Sequence, residues 1–277
     1  MAYGFKSRLP HKVIIHPKTK GREMNKMKIL ISVFLLFITG TGVILSQDMN
    51  PEAGKLYNEG NKMLKAGNHD GAILQYNQAL NIEKDYRIYY QKGIALKSSG
   101  NLEEAKNSFE SCISMKPDFD AGYNALGGVY FSVSNYQLAI KNFEKVLEIS
   151  KNNSIKNKVK KNLSLAYTKL GNEAASEGNS SKAVENLTKG AEYSNYDAAY
   201  LSLAKLYTEI GEWDKAIAAA ENSLKYRSSI GKGGPYYYMG VAYKGKNDLD
   251  KAKDMFSQAR TDATYKKTAE YELGLLK

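Results

Sequence analysis

One register of residues recurs six times between positions 53 and 261, and it constrains the fold more than any other feature. Alanines stand at Ala72, Ala105, Ala139, Ala183, Ala216 and Ala252, at separations of 33, 34, 44, 33 and 36 residues. Twelve places before each stands a small residue: Gly60, Gly93, Gly127, Gly171, Ala204 and Gly240. Four places earlier again come Leu56, Tyr89, Tyr123, Tyr167, Tyr200 and Tyr236, and four places after each alanine come Tyr76, Phe109, Phe143, Leu187, Ala220 and Phe256. Apolar residues at i, i+4 and i+7 give each unit a helical period. Mid-unit stand Gly67, Gly100, Ser134, Gly178, Gly211 and Asn247; glycine and asparagine tolerate the left-handed conformation that ends a helix. Each unit therefore reads as two antiparallel helices of about 13 residues. The small residue of the first helix is expected to face the alanine of the second, with the aromatics filling the space on either side.

This register resembles the tetratricopeptide repeat family, a helix–turn–helix unit with an aromatic, Leu-Gly, an aromatic, then alanine, an aromatic and proline. The third unit carries Tyr123, Leu126, Gly127, Tyr130, Ala139 and Phe143, and the second ends in Pro117. The closing proline is replaced elsewhere, and Ala174, Leu187 and Ala220 occupy aromatic slots. The resemblance implies an all-α, right-handed α-solenoid with repeats over 53–85, 86–119, 120–153, 164–196, 197–232 and 233–261. Residues 154–163 carry no Pro or Gly and are expected to lengthen the first helix of repeat four, so that a helix over 155–177 projects from the solenoid. The tail, 262–277, is amphipathic, with Tyr265, Ala269 and either Leu273 or Tyr271 on one face; it reads as a helix capping the last apolar surface.

The net charge of +11 is unevenly placed. Residues 1–28 hold eight Lys/Arg and one Glu, 29–46 no charge, and 47–277 a net +4. The whole-chain charge thus gives little support to nucleic-acid binding. A basic segment followed by ILISVFLLFITGTGVIL (29–45) reads as an export signal over 29–46, followed by a short linker at 47–52. The mature product would begin near Gln47, in the periplasm, cell envelope or medium. Met24 and Met27 would each open an ordinary signal, making 1–23 an artefact of start-site choice. Membrane contact is expected only through this signal if it stays uncleaved.

Chemistry-bearing residues are scarce. A single cysteine, Cys112, and three histidines exclude a disulfide, a Cys-based zinc site and a His-rich cluster. Cys112 occupies a small buried slot; His69 reads as a solvated turn residue and Trp213 as a packing residue. Gly-Lys-Gly-Gly (231–234) lacks the spacing and preceding strand of a phosphate loop. No catalytic residue, metal or cofactor is expected, and the chain reads as non-enzymatic.

A binding surface remains. In the family the first helices of successive units line a concave groove, which the resemblance places here at Tyr57, Asn61, Arg87, Tyr90, Lys97, Asn124, Phe131, Lys205, Tyr237 and Lys244. Thr168 falls on the same face. Aromatics interleaved with Arg87, Lys97, Lys205 and Lys244, without an acid, point to a polypeptide partner that is acidic or carries a free carboxylate. The family's Lys/Asn/Asn/Lys/Arg carboxylate clamp maps onto Tyr57, Asn61, Ala121 and Ala125, of which only Asn61 fits. The alternative function is a carbohydrate- or cell-wall-binding module using tyrosine platforms.

Overall fold

The computed structural model describes residues 49–276, which form a single unit. The basic segment, the apolar run and the signal lie outside the described residues. Thirteen helices follow one another with no strand among the described residues. They are α1 (Pro51–Lys65), α2 (His69–Ile82), α3 (Tyr86–Ser98), α4 (Leu102–Met115), α5 (Asp120–Ser132), α6 (Tyr136–Ile149), α7 (Asn153–Ser176), α8 (Ser180–Ser194), α9 (Asp197–Glu209), α10 (Trp213–Lys225), α11 (Gly233–Gly245), α12 (Leu249–Ala259) and α13 (Lys266–Leu275). Among the described residues no helix is long and apolar enough to cross a membrane.

The chain is an α-solenoid. Each odd helix pairs with the even helix after it, and each pair stacks on the next. All six mid-unit residues adopt positive φ, from 50s to 80s in degrees: Gly67 (78), Gly100 (88), Ser134 (59), Gly178 (77), Gly211 (76) and Asn247 (62). The next residue caps the second helix in four units: the Oδ1 atoms of Asn68, Asn135, Asn179 and Asp248 accept from the backbone amides of Gly71, Leu138, Lys182 and Lys251, whereas the side chain of Asn101 makes no such bond. Pro51 and Glu52 belong to the first turn of α1 rather than to a linker. Proline suits the first helical position, and the side chain of Asn50 caps Glu52 and Ala53.

Within each pair the nearest neighbour of the first-helix glycine is the side chain four residues beyond the alanine. A Cβ on Gly60 would lie 2.6 Å from the Tyr76 ring, on Gly93 2.5 Å from Phe109, on Gly127 2.7 Å from Phe143 and on Gly240 2.7 Å from Phe256. Gly171 stands likewise against Leu187 at 2.7 Å. In the fifth pair alanine replaces both partners: Ala204 and Ala220 are fully buried. Small meets large four times with an aromatic and once with leucine, and small meets small once, so the space between helices stays filled.

α7 does not project. Its early turns lie on α6, with Val159 fully buried and Ile155 half-buried in the same cluster as Tyr136, Ile140 and Val146. The packing of odd helix on odd helix runs along the whole array but is thinnest from α5 to α7, and that break in the spacing coincides with the ten-residue insertion. At the far end α13 buries Ala269 and Leu276 against Ala252, Phe256 and Ala259, with Tyr265 and Leu273 packed beside them; Tyr271 is 67 % exposed.

Candidate functional site

A pocket of about 380 Å³ opens on the inner face where the odd-helix packing is thinnest. α3 contributes Tyr90, Ile94 and Lys97; α5 contributes Asn124, Gly128 and Phe131; α7 contributes Asn162 and Leu165, with Phe143 of α6 behind them. Four sequence-predicted residues, Tyr90, Lys97, Asn124 and Phe131, meet here. Two rings are held by edge-on contacts: Tyr90 on Phe119 (5.1 Å between centroids) and Phe131 on Tyr136 (5.4 Å). Burial pushes the Tyr90 phenol up, with Cys112 and Asp120 adding to it, so the hydroxyl stays neutral. The Asn162 amide donates to Asn124 Oδ1 at 3.3 Å, bridging α7 and α5 across the break. Lys97 is half-buried and makes no ion pair among the described residues. It stands over Gly128, where an added Cβ would come within 3.1 Å of Nζ. The pocket therefore offers aromatic and aliphatic walls, one uncompensated cation and an amide pair. That set suits an apolar side chain accompanied by a carboxylate.

The other predicted groove residues are placed differently, and the expectation of an acid-free row of cations is corrected. Arg87 forms a two-pronged bridge to Asp85, with Nε 2.9 Å from Oδ1 and Nη2 2.6 Å from Oδ2. Burial of Asp85 opposes its ionisation, but the Arg87 bonds outweigh it and lower its pKa. Lys205 pairs with Glu209 on its own helix at 3.8 Å, and Lys244 pairs with Glu272 of α13 at 2.6 Å. Tyr237 lies against Tyr265 of the same terminal segment, 5.5 Å between centroids. Asn61 accepts from the Tyr76 hydroxyl at 2.8 Å, and Tyr57 tilts onto the same ring at 6.2 Å. Tyr57, Asn61, Tyr237 and Lys244 thus contact the solenoid's own residues, whereas Lys205 stays exposed beside Glu209. Thr168 is buried, its hydroxyl donating to the Ser164 carbonyl at 2.6 Å with Gly190 of α8 pressed against it.

Asn162 and Leu165 were missed. Leu165 precedes Tyr167 by two places, the register that Arg87 holds before Tyr89, and this signal was legible. Asn162 lies a turn earlier and reaches the pocket only because α7 is long.

Outside the pocket, Cys112 is fully buried and burial pushes its thiol up to about 12, which makes it inert. His69 opens α2 half-buried rather than solvated, its Nδ1 enclosed without a hydrogen-bond partner. Trp213 packs over α11, where a Cβ on Gly245 would lie 2.6 Å from its ring. The 228–230 turn is wrapped around a carboxylate of the chain itself. Asp197, fully buried, accepts from the amides of Ser228 (2.6 Å), Ser229 (2.6 Å) and Ile230 (3.2 Å) and from the Ser229 hydroxyl (2.6 Å).

Models of the tetratricopeptide repeat match residues 86–119, 121–153, 199–229 and 236–263. The chain thus carries tetratricopeptide repeats, in the pairs α3/α4, α5/α6, α9/α10 and α11/α12. Among curated proteins it is similar to a Hsp70-Hsp90 organizing protein of Triticum aestivum, 31 % identical over 96 residues, or 34 % of this chain and 16 % of that one. It is also similar to a small glutamine-rich tetratricopeptide repeat-containing protein 2 of Mycosarcoma maydis, 26 % identical over 133 residues, or 48 % and 37 %. The chain spans well under two thirds of the length of either relative. Similar solved structures include MamA (24 % identity, TM-score 0.47, 68 % of this chain and 96 % of that one). Another is YrrB, described as a TPR protein with an unusual peptide-binding site (21 %, 0.49, 71 % and 96 %).

Proposed function

We propose that this chain is a non-enzymatic protein–protein interaction scaffold acting outside the cytoplasm, and that its inner pocket holds a polypeptide segment through an apolar side chain and a neighbouring carboxylate. The unmatched pairs α1/α2 and α7/α8 complete a six-repeat array. Export rests on the apolar run 29–45 and the basic residues before it. N-terminal sequencing of exported material should find a start near Gln47; retention of Ile29–Leu45 would mean an anchored protein.

The observation that carries the pocket reading is a comparison within the chain. Tyr90 and Lys97 stand seven apart on α3, as Tyr237 and Lys244 do on α11. On α11 the two receive Tyr265 and the carboxylate of Glu272 from the terminal segment. On α3 the tyrosine receives Phe119, but the lysine meets Gly128 and no carboxylate among the described residues. A ligand carboxylate on Lys97 would complete on α3 what α13 supplies on α11. The relatives whose names record the organizing of Hsp70 and Hsp90 support a protein partner in general terms and do not identify it.

The test is selection of a random peptide library, displayed with free C-termini, on the full chain. Enriched sequences should pair an apolar residue with Asp, Glu or the C-terminal carboxylate. Lys97→Ala and Phe131→Ala should each weaken the selected peptide at least about tenfold, the loss expected at a hot spot. Binding should also weaken with salt. Selected peptides that are basic, or that bind Lys97→Ala as tightly as wild type with helicity intact, would sink the reading.

A further inference from the structure

The outer face of the solenoid carries a second, chemically different site. Two clefts, of about 630 and 470 Å³, lie side by side among α4, α5, α6, α7 and α8. Both are lined by Glu144, which stands between them. In the second cleft Tyr167 and Tyr193 stack at 5.7 Å with their planes 14° apart. Both hydroxyls donate to the same oxygen, Glu144 Oε1, at 2.8 and 3.4 Å. In the first cleft the Tyr130 hydroxyl donates to Glu110 Oε1 at 3.1 Å. Glu110 and Glu144 follow Phe109 and Phe143 in the repeat register, but their tyrosines come from different positions, Tyr167 from the Tyr123 slot and Tyr130 from seven places beyond it. In each, a carboxylate on the outer helix is held by a tyrosine from the inner helix of the next pair.

We propose that this outer face binds a neutral, hydroxyl-rich polymer, an oligosaccharide, lying across the two clefts that share Glu144. Three observations select that ligand class. First, the linings of the two clefts together contain four glutamates and four lysines, so neither a polyanion nor a polycation is favoured as a whole. Second, Glu144 has no ion-pair partner among the described residues, and its two tyrosine bonds fix it while Oε2 is left as an acceptor for a ligand hydroxyl. An acceptor already held in place loses little freedom when a ligand arrives. Third, tyrosines form the walls, and an aromatic body with a polar tip suits a ligand that is apolar on one surface and hydroxylated at its rim. The inner pocket, with one uncompensated lysine, has none of this charge balance.

The experiment titrates the full chain with three neutral oligosaccharides, cellohexaose, maltohexaose and N-acetylated chitohexaose, by calorimetry at low and high salt. Binding of at least one is expected, with affinity changing less than about threefold between about 0.05 and 0.5 M salt, because no net charge is neutralised. Glu144→Gln and Tyr193→Ala should each reduce that affinity at least tenfold. Lys97→Ala should leave it unchanged, which separates this site from the inner pocket. Helicity by circular dichroism and binding of a peptide selected on the inner pocket show that the variants are folded. Absence of binding to all three, binding indifferent to Glu144 and Tyr193, or a steep salt dependence would each overturn the proposal.

Discussion

Lys244 Nζ lies 2.6 Å from Glu272 Oε2, and through this pair the last helix gives the last inner lysine the carboxylate that Lys97 lacks. The pair is half-buried, so its own contribution is of the order of a surface ion pair, below about 1 kcal/mol. The apolar contact beneath it matters more. Deleting 262–277 would expose Phe256, Ala252 and Ala259, which α13 covers. Thermal denaturation followed by circular dichroism should show a lower midpoint for the truncated chain and light scattering should show aggregation, whereas Lys244→Ala alone should shift the midpoint by only a few degrees. An unchanged melting curve on truncation would show that α13 is not a cap.

Two adjacent glycines should respond oppositely to the same substitution. Alanine in place of a helical glycine gains about 1 kcal/mol in propensity. At Gly127 the added Cβ would lie 2.7 Å from the ring of buried Phe143, an overpacking that costs about 1–3 kcal/mol. At Gly128 it would meet only the movable end of Lys97, at 3.1 Å. Urea denaturation should therefore find Gly127→Ala less stable than wild type and Gly128→Ala equal or more stable. Gly128→Ala should nonetheless weaken peptide binding, because it narrows the space in front of Lys97.

The helix pairs were legible in the sequence because their determinants are local. Periodicity, the residue types at the turns and the recurring register all act within one unit. Which side chain stands closest to each glycine was not legible, because two positions four apart lie on one helix face and spacing alone does not rank them. The inner face was legible as a set of positions but not as a site. Whether Lys205 or Lys244 is available depends on Glu209 and Glu272, the first on the same helix and the second 28 residues away. The break that opens the pocket arises from an insertion whose helical character could be read, but whose effect on the spacing of α5 and α7 could not. Asp197 left no signal beyond a Ser-Ser-Ile run 31 residues downstream, since its role is to satisfy a turn distant in sequence.

The turns offer a stabilising substitution. Ser134 adopts φ 59°, where a Cβ costs about 1–2 kcal/mol. Ser134→Gly removes that strain and loses only a weak contact from the Tyr136 hydroxyl at 3.3 Å. Offset by the greater freedom of glycine in the unfolded chain, the net gain is up to about 1 kcal/mol. Gly100→Ala, at φ 88°, is the reverse change and should destabilise by about 1 kcal/mol or more. Chemical denaturation of both variants checks the pair; a destabilised Ser134→Gly would mean that the serine hydroxyl contributes more than its geometry indicates.

Asp197 makes stability depend on pH at the acid end. Its burial opposes ionisation, but the Ser229 hydroxyl and the amides of Ser229, Ser228 and Ile230 all donate to the carboxylate and together lower its pKa from 3.8 to about 2. A folded-state pKa below the unfolded one stabilises the fold fully above about pH 4, and that stability is lost as pH falls towards 2. The difference corresponds to about 2 kcal/mol. Asp197→Asn removes the charge and turns an amide NH₂ towards backbone donors, leaving buried groups unpaired at a cost of at least about 2 kcal/mol near neutral pH. The gap between wild type and Asp197→Asn should then shrink as pH is lowered from about 4 to about 2, because the wild-type carboxylate becomes protonated there while asparagine does not titrate. Since Asp197 ties the start of α9 to the turn before α11, the variant should also be cut faster by protease within 228–232. Denaturation midpoints across that pH range, with limited proteolysis at neutral pH, check both expectations. A gap constant with pH would mean that the carboxylate is not held as its hydrogen bonds indicate.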